Sequence, residues 1–96
     1  MNATNRSFDT FQSEALAAGF EEALVREWPP GKTLAAHAHP FASQAVVIKG
    51  EMWLTVAGQT RHLLPGHTFA LKRGESHEER YGASGAIYWV ARRADD

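Results

Sequence analysis

The stretch HAHPFASQAVVIKG, residues 37–50, places two histidines two positions apart, just before an apolar run that ends at Gly50. Side chains alternate between the two faces of a strand, so His37 and His39 are predicted to point to the same side. Two imidazoles on one face can bind a single cation, which adjacent residues cannot do. Taken alone, such a pair is more often two polar residues on an ordinary strand, so its interpretation depends on the rest of the chain.

Short β-type runs separated by turn signals make up most of the sequence after residue 20. The predicted strands are EALVREW, LAAHAH, SQAVVIK, MWLTV, TRHLL, TFALK, SHEERY and AIYWVAR. Gly50 is predicted to end the third of these strands, and Gly82 and Gly85 are predicted to separate the last two. Brief, evenly spaced runs of this kind favour an all-β antiparallel sandwich or barrel.

A short amphipathic helix is predicted near the N-terminus, over about residues 8–19. Its apolar residues recur at roughly helical spacing, Ser7 or Asp9 could cap its start, and Gly19 suits its end. A chain of 96 residues is long enough to bury one core but not two. We therefore expect a single domain over residues 1–96, with the helix outside a barrel of about residues 21–92.

The composition is that of a globular chain, with 44% apolar and 22% charged residues. Ten Lys and Arg against eleven Asp and Glu leave a formal net charge of −1, which argues against nucleic acid or an anionic membrane as a partner. The absence of cysteine excludes disulfides, thiolate chemistry and cysteine-bound zinc. No secretory signal and no bilayer-spanning apolar run is recognised, so the expected location is the cytoplasm.

A third histidine lies in the segment LPGHTFALKRGESHEERY, residues 64–81, at the start of a predicted strand. In a closed barrel, His77 could face His37 and His39 across the interior. With these residues the sequence resembles the cupin superfamily, whose two motifs combine a His-X-His pair and a later histidine with glycines at fixed spacing. The matching positions are Gly31, His37, His39 and Gly50 in the first motif and Gly66, Gly74 and His77 in the second, while Lys72 and Tyr81 replace the usual proline and asparagine.

The resemblance implies a small double-stranded β-helix, the RmlC-like jelly roll, with one divalent metal ion held by three histidines and a glutamate. His37, His39 and His77 would be the histidine ligands, but the glutamate position holds Ser43 or Gln44, depending on the direction of counting. The ion would be iron, nickel, zinc, copper or manganese, and the Gln44 carbonyl could complete its ligand set. The alternative is a vestigial site in a barrel that binds only an organic ligand.

Glu79 and Tyr81 lie two and four residues beyond His77, so strand alternation predicts that both point inward with it. Glu79 could orient an imidazole by accepting its N–H or act as a general base, and Tyr81 could donate a proton or a hydrogen bond. The alternative is a solvated barrel mouth. His62 is predicted to be a surface residue and His67 to help close a turn, so neither is a candidate ligand.

Three functions remain open at this point, because one fold can host unrelated activities. The first is a metal-dependent enzyme, a dioxygenase or an isomerase, that acts on a small polar molecule. The second is a non-catalytic barrel that binds or senses a small ligand, and the third is a metal site that only stabilises the barrel. Single-domain cupins are commonly dimers, and the MWLTV run offers apolar groups to both faces, so we expect a homodimer.

Overall fold

The computed structural model describes residues 7–94, which form one helix and six strands. The elements are α1 (Phe8–Ala17), β1 (Glu22–Trp28), β2 (Thr33–His37), β3 (Ala42–Val56), β4 (Gln59–Leu63), β5 (Thr68–Leu71) and β6 (His77–Arg93). All strand pairs are antiparallel, so the all-β prediction is confirmed.

Two long strands, β3 with 15 residues and β6 with 17, pair with each other along most of their length. The prediction that Gly50 ends one strand, and that Gly82 and Gly85 separate two others, is therefore wrong. Gly50 and Gly85 have positive φ angles of 79° and 72°, and the β3–β6 register shifts on both sides of Gly50. These glycines bend the strands without ending them, because glycine adopts positive φ at little cost.

The bend divides each long strand between two sheets that face each other. The first sheet has the order β1–β6–β3–β5 and uses the C-terminal half of β6, and the second has the order β2–β6–β3–β4 and uses its N-terminal half. Side chains from both halves form one core: Ala45, Val47, Met52, Leu54, Leu63, Phe69, Leu71, Tyr81, Ala86, Tyr88 and Val90. This arrangement is the predicted double-stranded β-helix barrel.

Helix α1 packs on the outside of the barrel, against β1 and β6. The Ser7 hydroxyl caps its first turn by accepting a hydrogen bond from the Thr10 N–H at 3.1 Å. The Phe8 and Phe11 rings contact Trp89, with centroids 5.6 and 5.7 Å from the indole. The helix ends at Ala17, two residues earlier than predicted, and it is too short to cross a membrane.

A two-residue turn, Ala57-Gly58, connects β3 to β4, since Val56 pairs directly with Gln59. Both turn residues have positive φ, 53° for Ala57 and 79° for Gly58, as a type I′ hairpin turn requires. Ala57 is the one non-glycine residue with positive φ among residues 7–94, and a Cβ makes this conformation costly. Asparagine tolerates it better than alanine does.

We expect Ala57→Asn to raise the free energy of unfolding by about 0.5–1 kcal/mol, since it relieves this backbone cost. Urea denaturation of both proteins measures the change. Ala70→Asn is the matched control, because Ala70 is an exposed strand residue without positive φ, and it should give no gain. An Ala57→Asn midpoint at or below that of the parent would contradict the strain argument.

Candidate metal centre

The three predicted histidines meet at one end of the barrel. His37 ends β2 and pairs in register with His77, the first residue of β6, while His39 follows in the loop after β2. The His37 ring centroid lies 4.3 Å from that of His77 and 5.1 Å from that of His39. One donor atom of each imidazole lies within 4.8 Å of those of the other two. The fold therefore brings together residues that are 40 positions apart in sequence.

Backbone carbonyls fix which nitrogen points into the site. His37 Nδ1 lies 2.7 Å from the Ala35 carbonyl oxygen, and His77 Nδ1 lies 3.1 Å from that of Glu75. A carbonyl only accepts, so both Nδ1 atoms carry the proton and donate it. In the neutral form of each ring this leaves the Nε2 lone pair free, as metal binding requires.

A buried carboxylate lies among these nitrogens. Glu79 has only 6% of its surface exposed, and its Oε2 lies 3.1 Å from His37 Nε2 and 3.4 Å from His77 Nε2. Its other oxygen, Oε1, accepts a hydrogen bond from the Tyr81 hydroxyl, which holds the carboxylate in place. Strand alternation along β6 puts His77, Glu79 and Tyr81 on the same inward face.

Burial and neighbouring groups shift the pKa values of two residues at this site, His39 and Tyr81. The pKa of His39 is lowered, mainly by burial and further by His77 and His37, while Glu79 opposes the shift. The neutral, metal-binding form of His39 is thus favoured at neutral pH. The pKa of Tyr81 is raised, first by burial and then by the neighbouring Tyr88 and Glu79, so its hydroxyl keeps the proton that it donates to Glu79.

Ser43 and Gln44, the two candidates for the family's glutamate position, point to opposite faces of strand β3. Ser43 is buried and lines the cavity beside the histidines, whereas Gln44 is exposed and borders grooves outside the barrel. Neighbouring strand residues point to opposite faces, so only one of the two can look inward. The Gln44 side chain therefore points away from the histidines, so its carbonyl is not placed to complete the metal ligand set as predicted. Ser43, counted back from Gly50, holds the inward position, and it offers no charge.

The two remaining histidines lie outside this cluster. The exposed His62 ring stacks on Trp53, with centroids 4.5 Å apart, and its Nε2 is 3.6 Å from Glu51 Oε1. His67 Nδ1 accepts the Leu64 backbone N–H at 3.0 Å and closes the turn between β4 and β5. Both predictions, a surface residue and a turn residue, are confirmed.

A cavity of about 200 Å³ opens beside the histidines, between the two sheets. Its walls are largely apolar and aromatic, contributed by Trp28, Leu34, Phe41, Phe69, Leu71, Tyr88 and Val90. Arg26 and Arg92 also line it. Sequence reasoning missed both arginines, although Arg26 alternates with the inward Leu24 and Trp28 along β1 and could have been assigned to the inner face.

Residues 20–94 match the family model of the AraC-like ligand binding domain. The chain belongs to this family. The match covers the whole barrel described above and leaves out only α1 and the terminal residues, so the cupin resemblance of the sequence is confirmed at the level of fold and family. No curated protein sequence matches this AraC-like domain.

Solved structures similar to the AraC-like domain include cupins. A protein of unknown function from Rhizobium leguminosarum superposes with a TM-score of 0.71 at 19% identity, covering 75% of this chain and 68% of that one. An RmlC-like cupin from Shewanella frigidimarina gives 0.66 at 22% identity over 76% and 66%. The DMSP lyase DddQ from Ruegeria pomeroyi gives 0.70 at 27% identity over 77% of this chain, which spans only 38% of the lyase.

Proposed function

We propose that this domain binds one divalent metal ion through His37, His39, His77 and Glu79, and that its cavity receives a small polar molecule. One observation carries the proposal. Two Nε2 atoms and the Glu79 carboxylate converge at 3.1 and 3.4 Å, and with both rings in the neutral form bonded through Nδ1–H these acceptors repel each other unless a cation or a proton lies between them. Two ligand atoms that bind one ion at about 2.1 Å are themselves about 3.0–3.4 Å apart at angles of 90–110°.

Glu79 supplies the negative charge that the first motif lacks. Three neutral imidazoles alone leave the full charge of a divalent ion uncompensated in a partly buried site, and a carboxylate reduces it by one. This differs from the two roles predicted from the sequence, in which Glu79 orients a histidine or acts as a general base. Tyr81 is the residue that orients here, because its hydroxyl holds Glu79 Oε1 and so directs Oε2 towards the histidines.

Metal content measured by plasma mass spectrometry on untagged protein tests the site directly. We expect about one equivalent of iron, nickel, zinc, copper or manganese per chain, and we expect His39→Ala to lose most of it. His62→Ala is the matched control, since His62 lies on the outer surface and should leave the metal content unchanged. A folded wild-type protein that takes up none of the five ions when they are supplied would refute the proposal.

The bound ion would supply Lewis-acid or redox chemistry, and dioxygenase and isomerase reactions are the classes to screen first. Glu79 and Tyr81 would then hold the ion and its carboxylate ligand rather than transfer a proton. The likeness to DMSP lyase DddQ and to a predicted oxalate decarboxylase from Thermotoga maritima supports an enzyme.

A non-catalytic barrel that binds or senses a small ligand is the second candidate. The match to an AraC-like ligand binding domain over residues 20–94 favours it. The near-neutral net charge of −1 supports a small-molecule partner rather than nucleic acid or an anionic membrane. Homodimer formation and a cytoplasmic location stay predictions of the sequence.

A further inference from the structure

Arg26 faces the cavity from strand β1 without a carboxylate partner. It lies on the inward face between Leu24 and Trp28, is half-buried, and stacks over the Trp28 ring with its Cζ 4.9 Å from the ring centroid. Among residues 7–94, no acidic side chain forms an ion pair with it. A partly desolvated guanidinium presents several N–H donors that favour an anion.

Arg92 lines the same cavity close to the histidines. Its Cζ lies 4.7 Å from the centroid of the Phe41 ring, which in turn stacks on His39 at 4.8 Å. The ion pair between Arg92 Nη1 and Glu22 Oε1 is long, at 3.9 Å, and the Glu22 side chain is 52% exposed. Exposed pairs of this kind are weak. The Arg92 guanidinium therefore remains able to bind a ligand.

The charges that line the cavity do not balance. Glu79 is the one acidic residue among the described lining residues, against the two arginines Arg26 and Arg92. With neutral histidines the lining carries a net charge of +1, although the whole chain carries −1. A divalent ion at the proposed site would raise the charge at the cavity to +3. An apolar-walled cavity with this excess strongly favours an anionic ligand.

We propose that the ligand or substrate of this cavity is a small carboxylate anion, which Arg26 and Arg92 bind beside the metal site. Arginine presents paired N–H donors that match a carboxylate. The cavity volume of about 200 Å³ leaves room for a carboxylate of two to four carbons. The inference deepens the proposed function by naming the ligand class, but the two arginines act on the anion whether or not a metal ion is bound.

Isothermal titration calorimetry with acetate, malonate and succinate, each paired with its neutral amide, tests the inference. The titrations are done on metal-free and on metal-loaded protein, for the wild type and for Arg26→Gln and Arg92→Gln. Arg80→Gln is the matched control, because the Arg80 guanidinium lies over Trp53 on the outer surface, 4.0 Å from the ring centroid.

We expect at least one carboxylate to bind more tightly than its amide, and each cavity substitution to weaken that binding about tenfold or more. Arg80→Gln should leave it unchanged. The inference is overturned if no carboxylate binds at 10 mM, if an amide binds as well as its carboxylate, or if neither Arg26→Gln nor Arg92→Gln weakens the binding. Failure of the metal proposal gives a different result. Protein with and without added metal would then bind the carboxylate equally well, while Arg26→Gln and Arg92→Gln would still weaken that binding.

Discussion

Replacing Glu79 with glutamine is expected to lower the affinity for the divalent ion about 100-fold, because it removes the one anionic ligand of the site. Substitution of groups that merely support metal ligands typically costs about 10–100-fold, and loss of a direct ligand belongs at the upper end of that range. Glutamine has nearly the same shape and can still accept the Tyr81 hydrogen bond, so the barrel should fold normally. Competition titrations against a metal-binding dye measure the affinity.

Two further variants and one comparison of metal-free proteins separate a ligand role of Glu79 from a structural one. Glu78→Gln removes a neighbouring charge on the exposed face of β6 and should leave metal affinity unchanged. Tyr81→Phe should weaken it only about tenfold, since the carboxylate remains but loses the hydroxyl that holds it. At a pH high enough to keep both histidines neutral, metal-free Glu79→Gln should melt no lower than the metal-free wild type, because the amide N–H can donate to an Nε2 atom that the carboxylate repels.

The outcomes distinguish three ways in which the prediction can fail. If the wild type binds metal and Glu79→Gln binds it equally well, Glu79 is not a ligand and the three histidines suffice. If the wild type binds no metal, the whole site is refuted. A metal-free variant that is much less stable than the metal-free wild type would instead show that Glu79 stabilises the barrel as a hydrogen-bonded buried group.

The sequence predicted the histidine cluster because spacing within strands carries that information. His37 and His39 lie two positions apart, and His77 begins a later strand at the spacing of a second cupin motif. The carboxylate was harder to predict. The family pattern directs attention to Ser43 and Gln44 on β3, whereas the structure offers Glu79 on β6, with its Oε2 3.1 Å from His37 Nε2. Such a replacement becomes visible only when the side chains are placed in space.

The barrel was predicted from turn signals, and its long strands show where such signals fail. Glycine after an apolar run is typical of a strand end, yet Gly50 lies inside β3 and pairs with Ala86 of β6. Local sequence does not record that pairing, since the partner is 36 residues away. Arg26 was missed for a different reason: its charge suggested a surface residue, although its alternation with the apolar Leu24 and Trp28 along β1 already indicates the inner face.

At Gly50 the backbones of the two long strands also approach each other closely. A Cβ built at this position would overlap the Gly85 carbonyl oxygen and would lie 2.9 Å from the Ala86 Cα. Both obstacles are backbone atoms of a paired strand, so they cannot rotate away as a side chain could. The φ angle of 79° adds the left-handed cost that any L-residue with a Cβ bears, about 1–2 kcal/mol.

Gly50→Ala is therefore expected to lower the free energy of unfolding by about 3–5 kcal/mol, a large share of the stability of a small domain. Thermal denaturation should show a fall in Tm of about 15 °C or more. Gly58→Ala is the matched control, because Gly58 has the same φ of 79° and no atom within 4 Å of an added Cβ. Gly58→Ala should lower the free energy of unfolding only by the cost of placing an alanine at a positive φ, about 1–2 kcal/mol. Equal losses in the two variants would show that β3 and β6 can separate at the bend without penalty, and that the close approach at Gly50 does not hold the two sheets together.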